Sequence, residues 1–87
     1  LSYVGMDASY VSSEFNFDGS TPVETKYALE SKPTSLKINV YNEKGDLVYS
    51  KVPTSMEQNG DFKWDGTLTA GGKAPKGTYE VEIAAYD

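Results

Sequence analysis

The chain has 87 residues and a formal net charge of −5, from eight lysines and thirteen carboxylates, and it contains no Cys, His or Arg. Its length predicts a single domain with one core, and the missing His and Cys remove the commonest general base, the best transition-metal ligands and the thiolate nucleophile. From these missing side chains we expect no enzyme activity, no cofactor and no metal. Because lysines are the only cations of an acidic chain, we also expect no nucleic-acid or membrane partner.

Alternation of apolar and polar side chains predicts six strands. In chain order they are Ser9 to Phe15, Pro22 to Glu30, Leu36 to Tyr41, Leu47 to Val52, Gln58 to Trp64 and Tyr79 to Tyr86. The second, third and last alternate strictly, so each is expected to bury one face. No window carries an apolar stripe of helical period with caps. Short strands separated by turn residues predict an all-β antiparallel sandwich.

The turn after Asn42 predicts how the third and fourth strands pair. A type I turn at Glu43-Lys44, followed by Gly45 in the left-handed conformation, makes a three-residue hairpin loop. Asn42 then faces Asp46 across the base of the loop. This loop length sets the register of every later pair in the hairpin.

In that register Val40 lies opposite Val48 on the core face. A loop of two or four residues would instead place Lys51 opposite Ile38 on the core side, which burial disfavours. The three-residue loop is therefore the predicted one, with Ile38 and Val40 in the core.

The same register predicts an apolar patch on the outward face of the hairpin. Tyr41 would lie opposite Leu47, and Tyr49 opposite Asn39. One interpretation is a cross-strand cluster that stabilises its own sheet. The other is a protein-contact patch of Tyr41, Leu47 and Tyr49 that meets a neighbouring domain or subunit.

The segment from Asp61 to Gly66 contains the only Trp of the chain, directly before an Asp-Gly turn. Trp64 is predicted to bury its ring in the core, together with Tyr79 of the last strand, while the Asp65 side chain ties the turn. A calcium loop on Asp61 and Asp65 is the alternative, but the regular alternation of oxygen ligands is missing.

Paired carboxylates are the remaining catalytic option, and Glu80 and Glu82 are the closest pair on one face of a strand. A glycosidase pair needs a cleft and one desolvated carboxyl group, whereas these residues occupy outward positions. The segment Gly71-Gly72-Lys73 lacks the frame of a phosphate-binding loop. We therefore predict a solvated face and a flexible tip, with no catalytic residue.

Five segments of the chain form a distinctive set, namely Leu1 to Met6, Val23 to Leu29, Leu36 to Val48, Trp64-Asp65-Gly66 and Ala74 to Tyr79. Together they resemble the C-terminal region of the FlgD family of flagellar hook-capping proteins. The resemblance covers nearly the whole chain, and the combination of Trp-Asp-Gly with Pro-x-Gly-x-Tyr is fairly specific.

The resemblance implies an immunoglobulin-like or fibronectin III-like sandwich inserted into a small tudor-like barrel. Residues 1–17 would be the first, incomplete piece of the tudor-like domain, and residues 18–87 the immunoglobulin-like domain. The returning piece of the barrel is absent from this sequence. Because the strand near Ser9 to Phe15 then lacks its partners, the segment from Leu1 to Ser13 is expected either to be mobile or to pair with an edge of its own sandwich or of a second chain.

The resemblance also implies a function, a location and partners. The protein would be a scaffold in an oligomeric cap at the tip of the growing hook, where it guides hook subunits, and it would arrive there through type III export. Its partners would be hook subunits and further copies of itself. The alternative is an immunoglobulin-like spacer, adhesion or secretion module of a larger secreted bacterial protein.

Overall fold

The computed structural model describes residues 7–87, so the predicted first segment, Leu1 to Met6, lies outside the described residues. Six strands form in this part of the chain. They are β1 (Ala8–Phe17), β2 (Val23–Ala28), β3 (Ser35–Tyr41), β4 (Leu47–Lys51), β5 (Asn59–Trp64) and β6 (Gly77–Tyr86). All six predicted strands are confirmed, with ends that differ by a few residues.

The strands form two antiparallel sheets that face each other across one core. The larger sheet has the order β1-β6-β3-β4, and the smaller one pairs β2 with β5. Apolar side chains of both sheets make up a single buried cluster, as the alternation on β2, β3 and β6 requires. No helix occurs in the described part, and the predicted all-β sandwich is confirmed.

The first strand belongs to the larger sheet by its hydrogen bonding. β1 pairs with β6 over its whole length, from Ala8 opposite Tyr86 to Phe17 opposite Gly77. Of the outcomes expected for Leu1 to Ser13, the described part of this segment takes an edge of its own sandwich, which satisfies one side of the backbone of β1. The predicted domain boundary between residues 17 and 18 therefore does not separate β1 from the sheet that β6, β3 and β4 form. The assignment of residues 1–17 to a tudor-like domain stays a prediction.

The hairpin loop has the predicted turn but a different register beyond it. Gly45 has a φ of 84°, and the Asn42 N–H donates to the Asp46 carbonyl at 3.0 Å. Tyr41 lies opposite Leu47 as predicted, but Val40 lies opposite Tyr49, because Val48 is an extra residue in a β-bulge. Bulges of this kind are common on edge strands such as β4.

The bulge shifts every later residue of β4 by one position. Lys51 therefore lies opposite Ile38, the pairing that the burial argument had excluded, and it nevertheless stays exposed at the end of the strand. The prediction that Val40 faces Val48 is wrong, because it assumed an unbroken ladder on an edge strand.

Four aromatic rings meet at one end of the core. The centroid of Trp64, which is 2% exposed, lies 5.1 Å from Phe17, 5.0 Å from Tyr79 and 5.9 Å from Phe15. The Trp64 indole N–H donates to the Thr67 carbonyl at 2.9 Å, so its one polar group is satisfied. The four residues predicted to lie in the core, Ile38, Val40, Trp64 and Tyr79, are each at most 5% exposed.

Aspartates fix the turns on both sides of this aromatic cluster. Asp65 accepts from the Thr67 N–H at 3.0 Å, which holds the turn that begins after Trp64. Gly66 follows with a φ of 93°, and a methyl group there would lie 2.6 Å from the Phe17 ring. Asp18 accepts from the backbone N–H groups of Ser20 and Thr21 at 2.8 and 2.7 Å.

The contact between Gly66 and Phe17 predicts unequal costs for two glycine substitutions. Gly66 and Gly71 both have a positive φ, but a methyl group at Gly71 would meet no atom within 4 Å. Gly71→Ala should cost about 1–2 kcal/mol of unfolding free energy from backbone strain, and Gly66→Ala roughly 1–3 kcal/mol more from the clash. Urea unfolding followed by Trp64 fluorescence measures both. Equal losses of unfolding free energy in the two variants would show that the Phe17 ring moves aside freely.

The turn at Asp18 predicts acid sensitivity. Hydrogen bonds from Thr21 and Ser20 lower the pKa of Asp18 from 3.8 to about 2. Because the folded state favours the carboxylate, the resulting stability is complete above about pH 4 and is lost as the pH falls towards 2. Asp18→Asn should therefore flatten the unfolding free energy between these pH values, measured by urea titration at each pH. Glu24→Gln, which removes an exposed charge elsewhere, is the control, and an equal flattening in both would contradict the prediction.

Candidate interaction surface

The larger sheet presents a polar face to the side opposite the core, which we call the outer face. Residues directly opposite each other in the ladders lie on the same face. Glu80 of β6 lies between Glu14 of β1 and Tyr41 of β3, and Glu82 lies between Ser12 and Asn39. The outer face includes Tyr10, Ser12, Glu14, Lys37, Asn39, Tyr41, Leu47, Ser50, Glu80, Glu82 and Ala84.

A chain of hydrogen bonds crosses three strands of the outer face. The Ser50 hydroxyl donates to Asn39 Oδ1 at 2.9 Å, and Asn39 Nδ2 donates to Glu82 Oε1 at 3.1 Å. The Tyr41 hydroxyl donates to the same Glu82 oxygen at 3.1 Å. Asn39 is only 7% exposed, so its amide is held on both sides by partners within the sheet. These bonds fix the side chains in place before any partner binds.

Negative charge surrounds this network. Glu14 lies directly opposite Glu80, an arrangement of like charges that costs stability. Glu43 reaches over from the hairpin loop and accepts from the Thr78 N–H at 3.1 Å. Together with Tyr41, these glutamates and Glu82 line an open concavity of about 670 Å³. The surface is acidic and widely open to solvent.

The predicted contact patch is only partly assembled. Tyr41 and Leu47 lie opposite each other, and Leu47 is 52% exposed. Tyr49 is on the core side instead, where its ring stacks on Phe62 with centroids 6.1 Å apart. The β-bulge at Val48 causes this change of face. The placement of Tyr49 on the outward face is wrong, and the docking role of Tyr41 and Leu47 stays a prediction.

Within the described residues, three of the four carboxylates considered above for a calcium loop or a catalytic pair have other partners. Among residues 7–87 no group of three Asp or Glu side chains is arranged to hold a metal ion. Asp65, one of the two residues considered for a calcium loop, lies 3.5 Å from the Lys73 ammonium group, and Asp61 lies 3.9 Å from that of Lys26. Lysine groups at these distances compete with a bound cation. Of Glu80 and Glu82, the pair considered for catalysis and predicted to form a solvated face, Glu82 accepts hydrogen bonds from Asn39 and Tyr41.

Sequence reasoning did not find the network around Asn39 or the contact of Glu43 with β6. Asn39 and Ser50 are polar residues at outward strand positions, where solvated side chains are the ordinary expectation. The signal available was the buried centre of a four-stranded sheet, where an outward Asn has little access to water.

In the described part of the chain, no helix is long and apolar enough to cross a membrane.

Two packed antiparallel sheets, a core with one buried Trp and a polar outer face define an immunoglobulin-like module. Residues 12–87 match the family model described as the FlgD Ig-like domain. The chain therefore belongs to the FlgD family, and residues 12–87 are its Ig-like domain. No curated protein matches the chain significantly.

Solved structures agree with this assignment. The chain is 27% identical to truncated FlgD from Helicobacter pylori in a monoclinic form, with a TM-score of 0.71 over 80% of this chain and 53% of that one. A structure of the same protein from strain 26695 gives 27% identity and a TM-score of 0.72 over 93% and 60% of the two chains. FlgD from Pseudomonas aeruginosa, at 20% identity and a TM-score of 0.68 over 84% and 67%, shares the fold. The chain thus spans between half and two thirds of these relatives.

The hydrogen bond between Tyr41 and Glu82 predicts that the charge of Glu82 affects the pKa of Tyr41. Burial raises the pKa of Tyr41 above 10, and the negative charge of Glu82 raises it further. Glu82→Gln should lower the pKa of Tyr41 back towards 10, because it removes the second cause. The measurement is an NMR titration of ¹³Cζ-labelled tyrosine, with Tyr41→Phe to assign the signal among seven tyrosines.

Glu57→Gln is the matched control for this titration, since Glu57 raises the pKa of Tyr27 and not that of Tyr41. A pKa of Tyr41 that is the same in the parent and in Glu82→Gln would contradict the prediction, because it would show that the charge of Glu82 does not act on the Tyr41 hydroxyl in solution.

Proposed function

We propose that this chain is part of a scaffold in the flagellar hook cap, at the tip of the growing hook, where it guides the assembly of hook subunits. The observation that carries the proposal is the match of residues 12–87 to the FlgD Ig-like domain. The 27% identity to Helicobacter pylori FlgD over 93% of the chain supports it. The proposed role is structural, because the outer face of the larger sheet offers a partner contact area and polar groups that are already held in place.

The proposed partners are hook subunits and further copies of the capping protein. The proposed contact is the exposed Leu47 together with the half-buried Tyr41 opposite it, which lines the acidic concavity at the end of the outer face. Aromatic residues at the centre of such contacts often contribute most of the binding energy. Within this proposal residues 1–17 also contribute to a tudor-like unit, and the protein reaches the hook tip through type III export.

Gene deletion in the source bacterium tests the scaffold role. Cells without the gene should make basal bodies that carry no hooks, and hook subunits should accumulate in the medium; electron microscopy and immunoblotting measure the two. Normal hooks after deletion would contradict the proposal. If a different secreted protein were lost instead, the chain would be a spacer, adhesion or secretion module, the second candidate.

A second step tests the contact residues. The gene carrying Tyr41→Ser and Leu47→Ser should restore few hooks, because loss of an aromatic anchor costs about 2 kcal/mol or more, roughly 30-fold in affinity. Val52→Ser is the matched control, since Val52 is 59% exposed just beyond the other end of β4. Full rescue by the double variant would restrict Tyr41 and Leu47 to a role within their own sheet.

A further inference from the structure

Among residues 7–87, β1 is a terminal strand of the larger sheet and leaves one edge of that sheet open. Within this range its ten residues pair only with β6. In an antiparallel ladder alternate residues direct their N–H and C=O groups to opposite sides, so half of these groups on β1 point away from β6. Within residues 7–87 none of them is bonded to another element.

The opposite edge of the same sheet is protected. The Thr69 N–H donates to the Val48 carbonyl at 3.0 Å, and the Ser50 N–H donates to the Thr69 hydroxyl at 3.2 Å. The loop between β5 and β6 therefore occupies backbone groups of β4, and the bulge at Val48 interrupts the ladder there. Both devices hinder the addition of another strand.

β1 carries none of the usual edge protection. From Ala8 to Phe17 it contains no Lys, Pro or Gly, and Glu14 is its only charged residue. Tyr10 is 59% exposed and Val11 38% exposed. A long, nearly uncharged edge strand with unpaired backbone groups is a template for another strand.

We propose that the occupant of this edge is β1 of a second copy of the chain, paired antiparallel about a twofold axis through Ser12. The outer and inner faces stay continuous only if even-numbered residues pair with even-numbered ones. An axis at Ser12 pairs Ala8 to Asn16 with the same segment of the second copy, and places Tyr10 opposite Glu14 of that copy. The tyrosine hydroxyl then faces a carboxylate across the joint.

Charge selects this register over its neighbours. An axis at Glu14 would place the two Glu14 side chains directly opposite each other, and an axis at Ser13 would place them diagonally. Either arrangement adds like-charge repulsion to the existing pair of Glu14 and Glu80. An axis at Val11 avoids the repulsion but leaves the end of the strand unpaired.

The contact is small, because it joins two strands at their edges. It buries less than the roughly 800 Å² per partner of a standard stable interface, so the dimer is weak and depends on concentration. The inference is independent of the proposed function, because it concerns only the isolated chain.

Sedimentation of the 87-residue chain from micromolar to millimolar concentration tests the self-association. The parent should shift from monomer to dimer, and Ser13→Lys should stay monomeric, because a charge that points inward on an edge strand blocks pairing. Ser31→Lys adds the same charge at an exposed position in the loop after β2 and should behave like the parent. Near-UV circular dichroism shows that each variant is folded.

A cysteine variant tests the register. The chain has no Cys, so Ser12→Cys provides a single thiol. Directly opposite residues have Cα atoms about 4.5–5.5 Å apart, within the range that a disulfide bridges. Ser12→Cys should oxidise to a disulfide dimer many times faster than Ser31→Cys. A monomer at every concentration, or a dimer in which the two variants oxidise at the same rate, would overturn the proposal.

Discussion

The packing of Trp64 against the ends of the two long strands is the interaction on which the sandwich depends. The smaller sheet has only two strands of six residues each, and it is held to the larger sheet through side chains. Trp64 contacts Phe17 at the end of β1 and Tyr79 near the start of β6. Loss of a buried Trp costs about 3–5 kcal/mol, against roughly 4–13 kcal/mol expected for a whole domain of this size. Phe17 leaves no room for a side chain at Gly66, so the turn after Trp64 and the end of β1 are fixed together.

That anchoring is confined to one end of the molecule, and the burial along β1 shows it. Phe17 is buried and Phe15 half-buried, whereas every residue from Ala8 to Glu14 is exposed. The reason is that the smaller sheet covers only part of the inner face of the larger one. The exposed half of β1 is held chiefly by its ladder with β6, so it is expected to open more readily than the aromatic end.

Local rules predicted most of the fold, and contacts distant in sequence account for what they missed. Alternation placed the strands, and the turn chemistry placed Gly45, because both depend on residues a few positions apart. The bulge at Val48 is fixed in part by Thr69, which lies in another loop, so the hairpin sequence alone did not reveal it. The extra residue Val48 in this bulge also moved Tyr49 from the predicted outward face to the core side. Asn39 was missed for a related reason, since its partners Glu82 and Ser50 come from two other strands.

The outer face and the β1 edge use different chemistry, and the geometry makes them compatible. The outer face offers side chains that a hydrogen-bond network already holds in place, so a partner that binds there orders few of them. The edge offers backbone groups that any extended strand can satisfy, and its selectivity rests on the position of Glu14. A twofold axis perpendicular to the sheet would turn the outer faces of both copies to the same side. A partner that recognises the acidic face would then meet two copies of it side by side, and binding at one copy would raise the effective concentration at the other.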